Sequence, residues 1–371
     1  MNWRTHMTKR ENIIRILKRE GGEHIPFVLS FTPKLQKEFK QRTGTRNIAE
    51  YYDFDFRHIG YNPSRLKLDF SRYYEGKSLK EGYYLDDLGV AHEPGSMEHF
   101  THIISPLAGS GTTTKDIEEY PMSDREADYR YEELNKRVSD IKKKGYAVCA
   151  WVGHTFESAW QIRGMEDMLM NFYDNPKLAH TLLERIAEKN IVASRKFVEA
   201  GVDIIMFGDD VGTQTGMMMS PDIWREFLKP RLERQIRAVK DVNPDVLTWY
   251  HSDGNIEVII TDLIEIGLDI LNPVQPECMD PVMIKNKYGD KLSFWGTIGT
   301  QSTMPFGTPQ DVKDVVKNMI EKVGFDGGLV LALTHVLEPE VPWENIDAFV
   351  EACREYGVLS KSGLIKSRKD I

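Results

Sequence analysis

Cysteine is scarce in this chain: three in 371 residues, Cys149, Cys278 and Cys353, far apart and outside any paired motif. That excludes a disulfide-stapled secreted scaffold and points to a reducing cytoplasm. A basic excess is also missing. Asp plus Glu outnumber Lys plus Arg by 57 to 48, a formal charge of −9, which argues against a nucleic-acid partner. No apolar run is long enough to span a bilayer, and the opening MNWRTHMTKRENIIRILKRE is charged throughout and lacks the apolar core of a signal peptide. No Gly-rich phosphate fingerprint follows an apolar run, which weighs against an open dinucleotide-binding sheet.

What is present is alternation. Apolar strand candidates fall at Pro26–Phe31, near Phe56–Tyr61, and at Ala147–Val152, Asp203–Phe207, Val246–Tyr250, Ile270–Val274, Leu292–Gly296 and Leu329–Leu333. Helical patterns separate most of them: Lys34–Arg42, Tyr129–Lys144, Pro176–Ala200, Pro221–Lys240, Asn255–Ile266, Pro281–Lys287, Pro309–Lys322 and, last, Trp343–Tyr356, with another at Lys9–Arg19 before the first strand. Continuous apolar strands alternating with amphipathic helices mean a parallel sheet covered by helices, and eight such units favour a closed (β/α)8 TIM barrel. Ser220-Pro221 and Thr308-Pro309 place a cap residue before Pro at a helix start. The whole of 1–371 reads as one barrel domain, with an aromatic-rich β-hairpin insertion at about 65–128 and a frayed polar tail at about 358–371.

In such a barrel, chemistry sits at the C-terminal ends of the strands, and the polar residues collect there. In strand order they are Trp151, His154 and Glu157; Asp209 and Asp210; His251 and Asp253; Gln275, Glu277 and Cys278; Thr297 and Gln301; and Thr334, His335, Glu338 and Glu340. The opposite ends carry ordinary turns. His251 and His335 each follow an apolar strand directly. Side chains at i and i+2 of an extended segment share a face, so His251 and Asp253 are able to face one cavity. The plainer alternative is a Ser-Asp-Gly turn capping the next helix. Asp209 and Asp210 equally serve either chemistry or loop bracing.

Three segments, AGVDIIMFGDDVGTQTGMMMSPDIWREFLKP, HSDGNIEVIITDLIEIGLDILNPVQPE and YGDKLSFWGTIGTQSTMPFGTPQDV, resemble the uroporphyrinogen decarboxylase family. The resemblance runs from about Trp151 to Tyr356 and implies a (β/α)8 barrel. It also implies one of two activities. The decarboxylases of the family act without metal and grip an acetate-bearing tetrapyrrole through a Trp and spaced arginines near the N-terminus. The corresponding stretch here, Pro26–Lys34, has neither, which counts against that substrate. The family's corrinoid-linked methyltransferases, found in anaerobes, hold zinc with a His-x-Cys pair after strand five and a Cys after strand eight. The matching positions here are His251, Asp253 and His335. Losing both thiolates leaves zinc a stronger Lewis acid toward oxygen.

The expectation is therefore a zinc-dependent methyltransferase moving a methyl group from an oxygen donor, aryl methyl ethers fitting best, to a corrinoid. The chain has no Asp-x-His-x-x-Gly corrinoid motif, so the corrinoid is expected on a partner protein. The expected roles are His251, Asp253 and His335 as metal ligands and Asp209 or Asp210 as substrate-orienting or proton-donating acid. Trp151, His154, Tyr250, Gln275 and Glu277 are expected around the substrate, with Phe156 and Trp249 as further wall residues. Two rival readings stand beside it: a metal-free decarboxylase with Asp209 or Asp210 stabilising a protonated intermediate, and a non-catalytic tetrapyrrole or corrinoid binder.

Overall fold

The computed structural model describes residues 7–95 and 101–359. Eight parallel strands form the centre: β1 (Phe27–Val28), β2 (Phe56–Ile59), β3 (Ala147–His154), β4 (Ile204–Gly208), β5 (Leu247–His251), β6 (Ile270–Asn272), β7 (Ser293–Trp295) and β8 (Leu329–Ala332). Their order is β1-β8-β7-β6-β5-β4-β3-β2, the cyclic order of a (β/α)8 barrel, and the fold is of that class. Between β1 and β2 no hydrogen-bonded ladder is present among the described residues. Ring packing joins the two segments instead, Phe27 lying edge-on to Phe54 at 5.6 Å.

Alternation along each strand decides what the barrel holds. Leu247, Trp249, Ile204, Met206, Ala147 and Cys149 belong to one interior cluster, closed from below by Ile13 and Leu17 of the helix Lys9–Leu17. Thr8 and Glu11 form a capping box at the start of that helix. The intervening residues, such as Val148, Ile205 and Tyr250, pack outward against the helical ring. The bottom of the lumen is thus filled among the described residues, and free space opens at the C-terminal rim.

The helical ring follows the sequence periodicity in outline. The expected helix Pro221–Lys240 breaks at Leu228 into Pro221–Phe227 and Lys229–Val242, an unpredicted short helix, Thr303–Phe306, follows β7, and the largest departures come after β3 and β5. After β3, two unpredicted helices, Phe156–Arg163 and Met165–Asp174, precede the long helix Pro176–Glu199. After β5, the expected helix Asn255–Ile266 shrinks to a 3-10 turn, Glu257–Ile259, and one short α-helix, Ile260–Glu265. The insertion holds a three-stranded antiparallel sheet, Tyr84–Leu85, Ala91–Pro94 and Thr101–Ile104. At the other end, Val358 bridges His24 and the Leu359 N–H donates to the Glu23 carbonyl at 2.9 Å. The expected tail is therefore held through Leu359, and the rest of it lies outside the described residues. Among the described residues no helix is long and apolar enough to cross a membrane.

Candidate active site

The rim opens into a cavity of about 500 Å³. Inward-facing positions on five of the strands supply its floor: Phe56 on β2, Met206 on β4, Trp249 on β5, Trp295 on β7 and Ala332 on β8. A chain of rings runs around it. Trp295 meets Phe56 at 5.0 Å and Trp249 at 6.3 Å, and Trp249 meets Trp151 at 5.8 Å. Trp151 in turn meets His154 at 5.0 Å, and the His251 ring stacks 5.8 Å from Trp249. Gly208 makes this possible: a Cβ there would lie 2.7 Å from Trp151 and 3.1 Å from His251. Ordinary van der Waals contact does not allow 2.7 Å.

Asp210 and His251 line this cavity, and Asp253, on the wall of a second cavity, stands beside them, one ligand-competent atom of each lying within 4.8 Å of the others. Strand register brings them together. Gly208 pairs with His251 across the β4–β5 ladder, so the residue two beyond Gly208 sits beside the residue two beyond His251. The Asp253 N–H donates to Asp210 Oδ1 at 2.9 Å. His251 Nε2 lies 3.5 Å from Asp210 Oδ1 and 3.8 Å from Asp253 Oδ1. Two ligands each roughly 2 Å from a tetrahedral ion stand roughly 3.3 Å apart, so the spacing is close to that of a ligand set. Asp253 Oδ1 is buried without a hydrogen-bond partner, and burial pushes the Asp253 carboxyl up while His251 pulls it down. An unsatisfied buried carboxylate oxygen beside an imidazole suits a cation ligand.

The imidazole is oriented for that role. The Asn272 side-chain N–H donates to the Trp295 carbonyl at 2.6 Å, which leaves its Oδ1 as the acceptor facing His251 Nδ1, also at 2.6 Å. Nδ1 must then carry the proton, and the Nε2 lone pair is free toward the two carboxylates. A side chain at Gly296 would crowd Asn272 Nδ2 at 3.0 Å.

Glu157 and His154 flank the cluster and line the same cavity. Burial first, then the nearby Asp210 charge, raises Glu157 to about 7. Burial and His251 lower His154 to about 4. Their 3.1 Å contact is accordingly one between a neutral imidazole and a carboxyl near its midpoint, not an ion pair.

Several sequence expectations land elsewhere. His335 lies on a wall shared with a second cavity of about 590 Å³, and no nitrogen of it joins the compact group, where Asp210 stands instead. β8 is three strands from β5, whereas β4 is its neighbour. Asp209 does not reach the cavity. Its Oδ1 accepts the Thr155 and Glu157 N–H groups at 2.8 and 2.9 Å, capping the helix Phe156–Arg163, which has no side-chain cap of its own. Tyr250 and Phe156 are buried away from the lumen, Tyr250 donating to the Asp209 carbonyl. Gln275 lines the second cavity and accepts from the Gly254 N–H. Glu277 accepts from the Gln301 N–H and the Ser302 hydroxyl, holding the loop after β7. Trp151, His154, Trp249, His251 and Asp210 do line the first cavity. His58, Trp295 and Asn272 line it too and were not anticipated. Inward parity on β2, β6 and β7 was the signal for them.

A (β/α)8 barrel with a polar rim over an aromatic lumen defines the class, and comparison with known proteins defines the family. The family model described as "Uroporphyrinogen decarboxylase (URO-D)" matches residues 88–356, and this chain belongs to that family. Similar curated proteins include the methylcobamide:CoM methyltransferase MtaA of Methanosarcina barkeri, 32% identical over 47% of this chain and 48% of that protein. A uroporphyrinogen decarboxylase of Chlorobium limicola is 27% identical over 60% of this chain and 61% of that protein. The chain thus spans between about half and three fifths of the length of these relatives. A solved methyltransferase from Methanosarcina mazei shares the fold, with a TM-score of 0.67 at 20% identity, covering 95% of this chain and 99% of that one.

Proposed function

We propose that this protein transfers a methyl group from an oxygen donor to the cobalt(I) of a corrinoid carried by a separate protein. The observation that carries the reading is the compact Asp210–His251–Asp253 group where the first cavity meets the second. The likeness to a methylcobamide-dependent methyltransferase supports it at the level of class. In the reaction the donor's methyl–oxygen bond breaks, the methyl carbon joins cobalt, and the bonding electrons leave with oxygen, which takes a proton. Asp210, His251 and Asp253 would hold a zinc ion, and such an ion supplies Lewis acidity toward an oxygen leaving group. Asn272 holds His251 in the ligand tautomer. Glu157, raised to about 7, is the proton donor in place of Asp209. The second cavity shares Thr334, His335 and Val336 with the first and leaves a separate approach for the acceptor.

The same cavity argues against decarboxylation of a polycarboxylate. No Lys or Arg lines it among the described residues, and desolvated carboxylates need cationic partners.

The test is metal content of protein purified without chelator, followed by methyl transfer to cobalt(I) corrinoid read from the corrinoid spectrum. The expected result is about one zinc per chain, lost in Asp210→Ala and His251→Ala and retained in His335→Ala. Asn272→Ala should weaken metal affinity by about 10- to 100-fold. Wild-type protein that takes up no metal from supplied zinc defeats the proposal.

A further inference from the structure

We infer that Ser252 is a positioning residue of the site: its hydroxyl clasps the turn that carries Asp210 to the turn that carries His251 and Asp253, and so sets the spacing of the three groups. The inference rests on the metal-holding reading above and adds the residue that presets the ligand set. Ser252 is fully buried and lines neither cavity, as alternation requires of the residue between two that face inward. Its Oγ accepts the Val211 N–H at 3.1 Å and donates to the Asp253 carbonyl at 3.2 Å. The Asp253 N–H in turn donates to Asp210 Oδ1 at 2.9 Å, and Asp210 immediately precedes Val211. These bonds close a ring. It runs from the Asp210 carboxylate through the Asp253 backbone and the Ser252 hydroxyl back to the Asp210–Val211 peptide.

A hydroxyl suits the place because it donates and accepts at once, and here it serves one backbone group on each turn. Serine at a strand end ordinarily bonds within its own turn. The acceptance from Val211, 41 residues away, is what joins two strands. Further contacts complete the joint. The Ser252 N–H donates to the Asn272 carbonyl at 2.9 Å, and Asn272 is the residue that sets the His251 tautomer. The Asn255 N–H donates to the Thr213 carbonyl at 2.7 Å. A Cβ at Gly212 would lie 2.5 Å from the Asp253 carbonyl oxygen, and one at Gly254, with φ +82°, would lie 2.6 Å from the Gly212 carbonyl carbon. The two turns therefore touch backbone to backbone. The Asp210 side chain keeps 37% of its surface open, so other rotamers are within its reach, and confining it to one costs conformational entropy. The ring makes that choice before a cation arrives.

The experiment measures zinc affinity by competition with a chromophoric chelator, and amide hydrogen exchange in the metal-free protein, for wild type, Ser252→Ala, Ser252→Thr and Asp209→Ala. Ser252→Ala leaves the N–H of the buried Val211 without its acceptor. Zinc affinity is expected to fall about 10- to 100-fold, as when other outer partners of a ligand set are removed. The Val211 and Asp253 amides are expected to exchange about tenfold faster or more, with those of Met206 and Trp249 unchanged. Ser252→Thr keeps the hydroxyl and is expected to lie nearer wild type than Ser252→Ala. Asp209→Ala removes a helix cap, not the clasp, and is expected to keep wild-type affinity. Unchanged affinity in Ser252→Ala overturns the inference. So does an equal loss in Asp209→Ala, which would make both effects those of a looser fold. Wild-type protein that binds no zinc defeats the proposed function and leaves the clasp to be decided by exchange. No change at the Asp253 amide in Ser252→Ala then overturns the inference.

Discussion

At the scale of single residues, two adjacent aspartates do unrelated work. Asp209 has its carboxylate turned to the backbone N–H groups of Thr155 and Glu157, while Asp210 faces the lumen beside His251. Successive residues of an extended segment point to opposite sides, and the reader of GDD alone has no way to say which is inside. The proton donor moves accordingly to Glu157. Its carboxyl is raised from 4.5 to about 7 by burial and by the nearby Asp210 charge, so it holds its proton below about pH 7 and loses it above. The rate of methyl transfer should therefore fall as pH rises through the Glu157 midpoint, which zinc on Asp210 moves below its metal-free position, and Glu157→Gln should lower it roughly 100-fold or more and remove that limb. Folding linkage has the same sign. A carboxyl with a raised folded pKa favours the fold below its unfolded value, and that contribution is lost as pH rises through about 7. A rate profile unchanged in Glu157→Gln would assign the proton to another group.

At the scale of elements, the site is made by two neighbouring strands and the helix that follows a third. The β4–β5 register aligns Gly208 with His251, and equal offsets of two residues then bring Asp210 to Asp253. The helix Phe156–Arg163 carries Glu157 in its first turn and is capped from β4 by Asp209. Removing that cap should cost stability rather than chemistry. Asp209→Ala is expected to destabilise the protein by about 1–3 kcal/mol in urea unfolding, with metal stoichiometry unchanged. Lost metal at full stability would return Asp209 to the site. The elements themselves were legible. Ser220-Pro221 and Thr308-Pro309 start helices as their chemistry requires. The first helix after β3 is not legible because FESAWQIR spreads apolar and polar residues around its circumference; the second, MEDMLMNFYD, is amphipathic but short, and Gly164, with φ +96°, cuts it from the first.

At the scale of the whole molecule, the barrel is least secure where β1 meets β2. Each is hydrogen-bonded on one side only, β1 to β8 through two register pairs and β2 to β3 through four. Edge amides without a ladder open most readily. Hydrogen exchange should be faster in peptides spanning 27–31 and 56–59 than in those spanning 204–208 and 247–251, and a bound donor should slow it, since Val28 and Phe56 line the cavity. Uniform protection around the ring would mean a sealed seam. The amino-acid order by itself determined the eight strand–helix units, the class of fold, the insertion and the gathering of carboxylates and imidazoles at one rim. Those features depend on local periodicity, capping and strand ends, which short stretches encode. Only the tertiary structure placed Asp210 in one compact group with His251 and Asp253, which His335 does not join. It alone showed that Asn272 sets the imidazole, that Tyr250 faces away, and that His58 and Trp295 enter the lumen. Each of these depends on which strand lies beside which and on the inward parity of each position, and both are properties of the closed sheet.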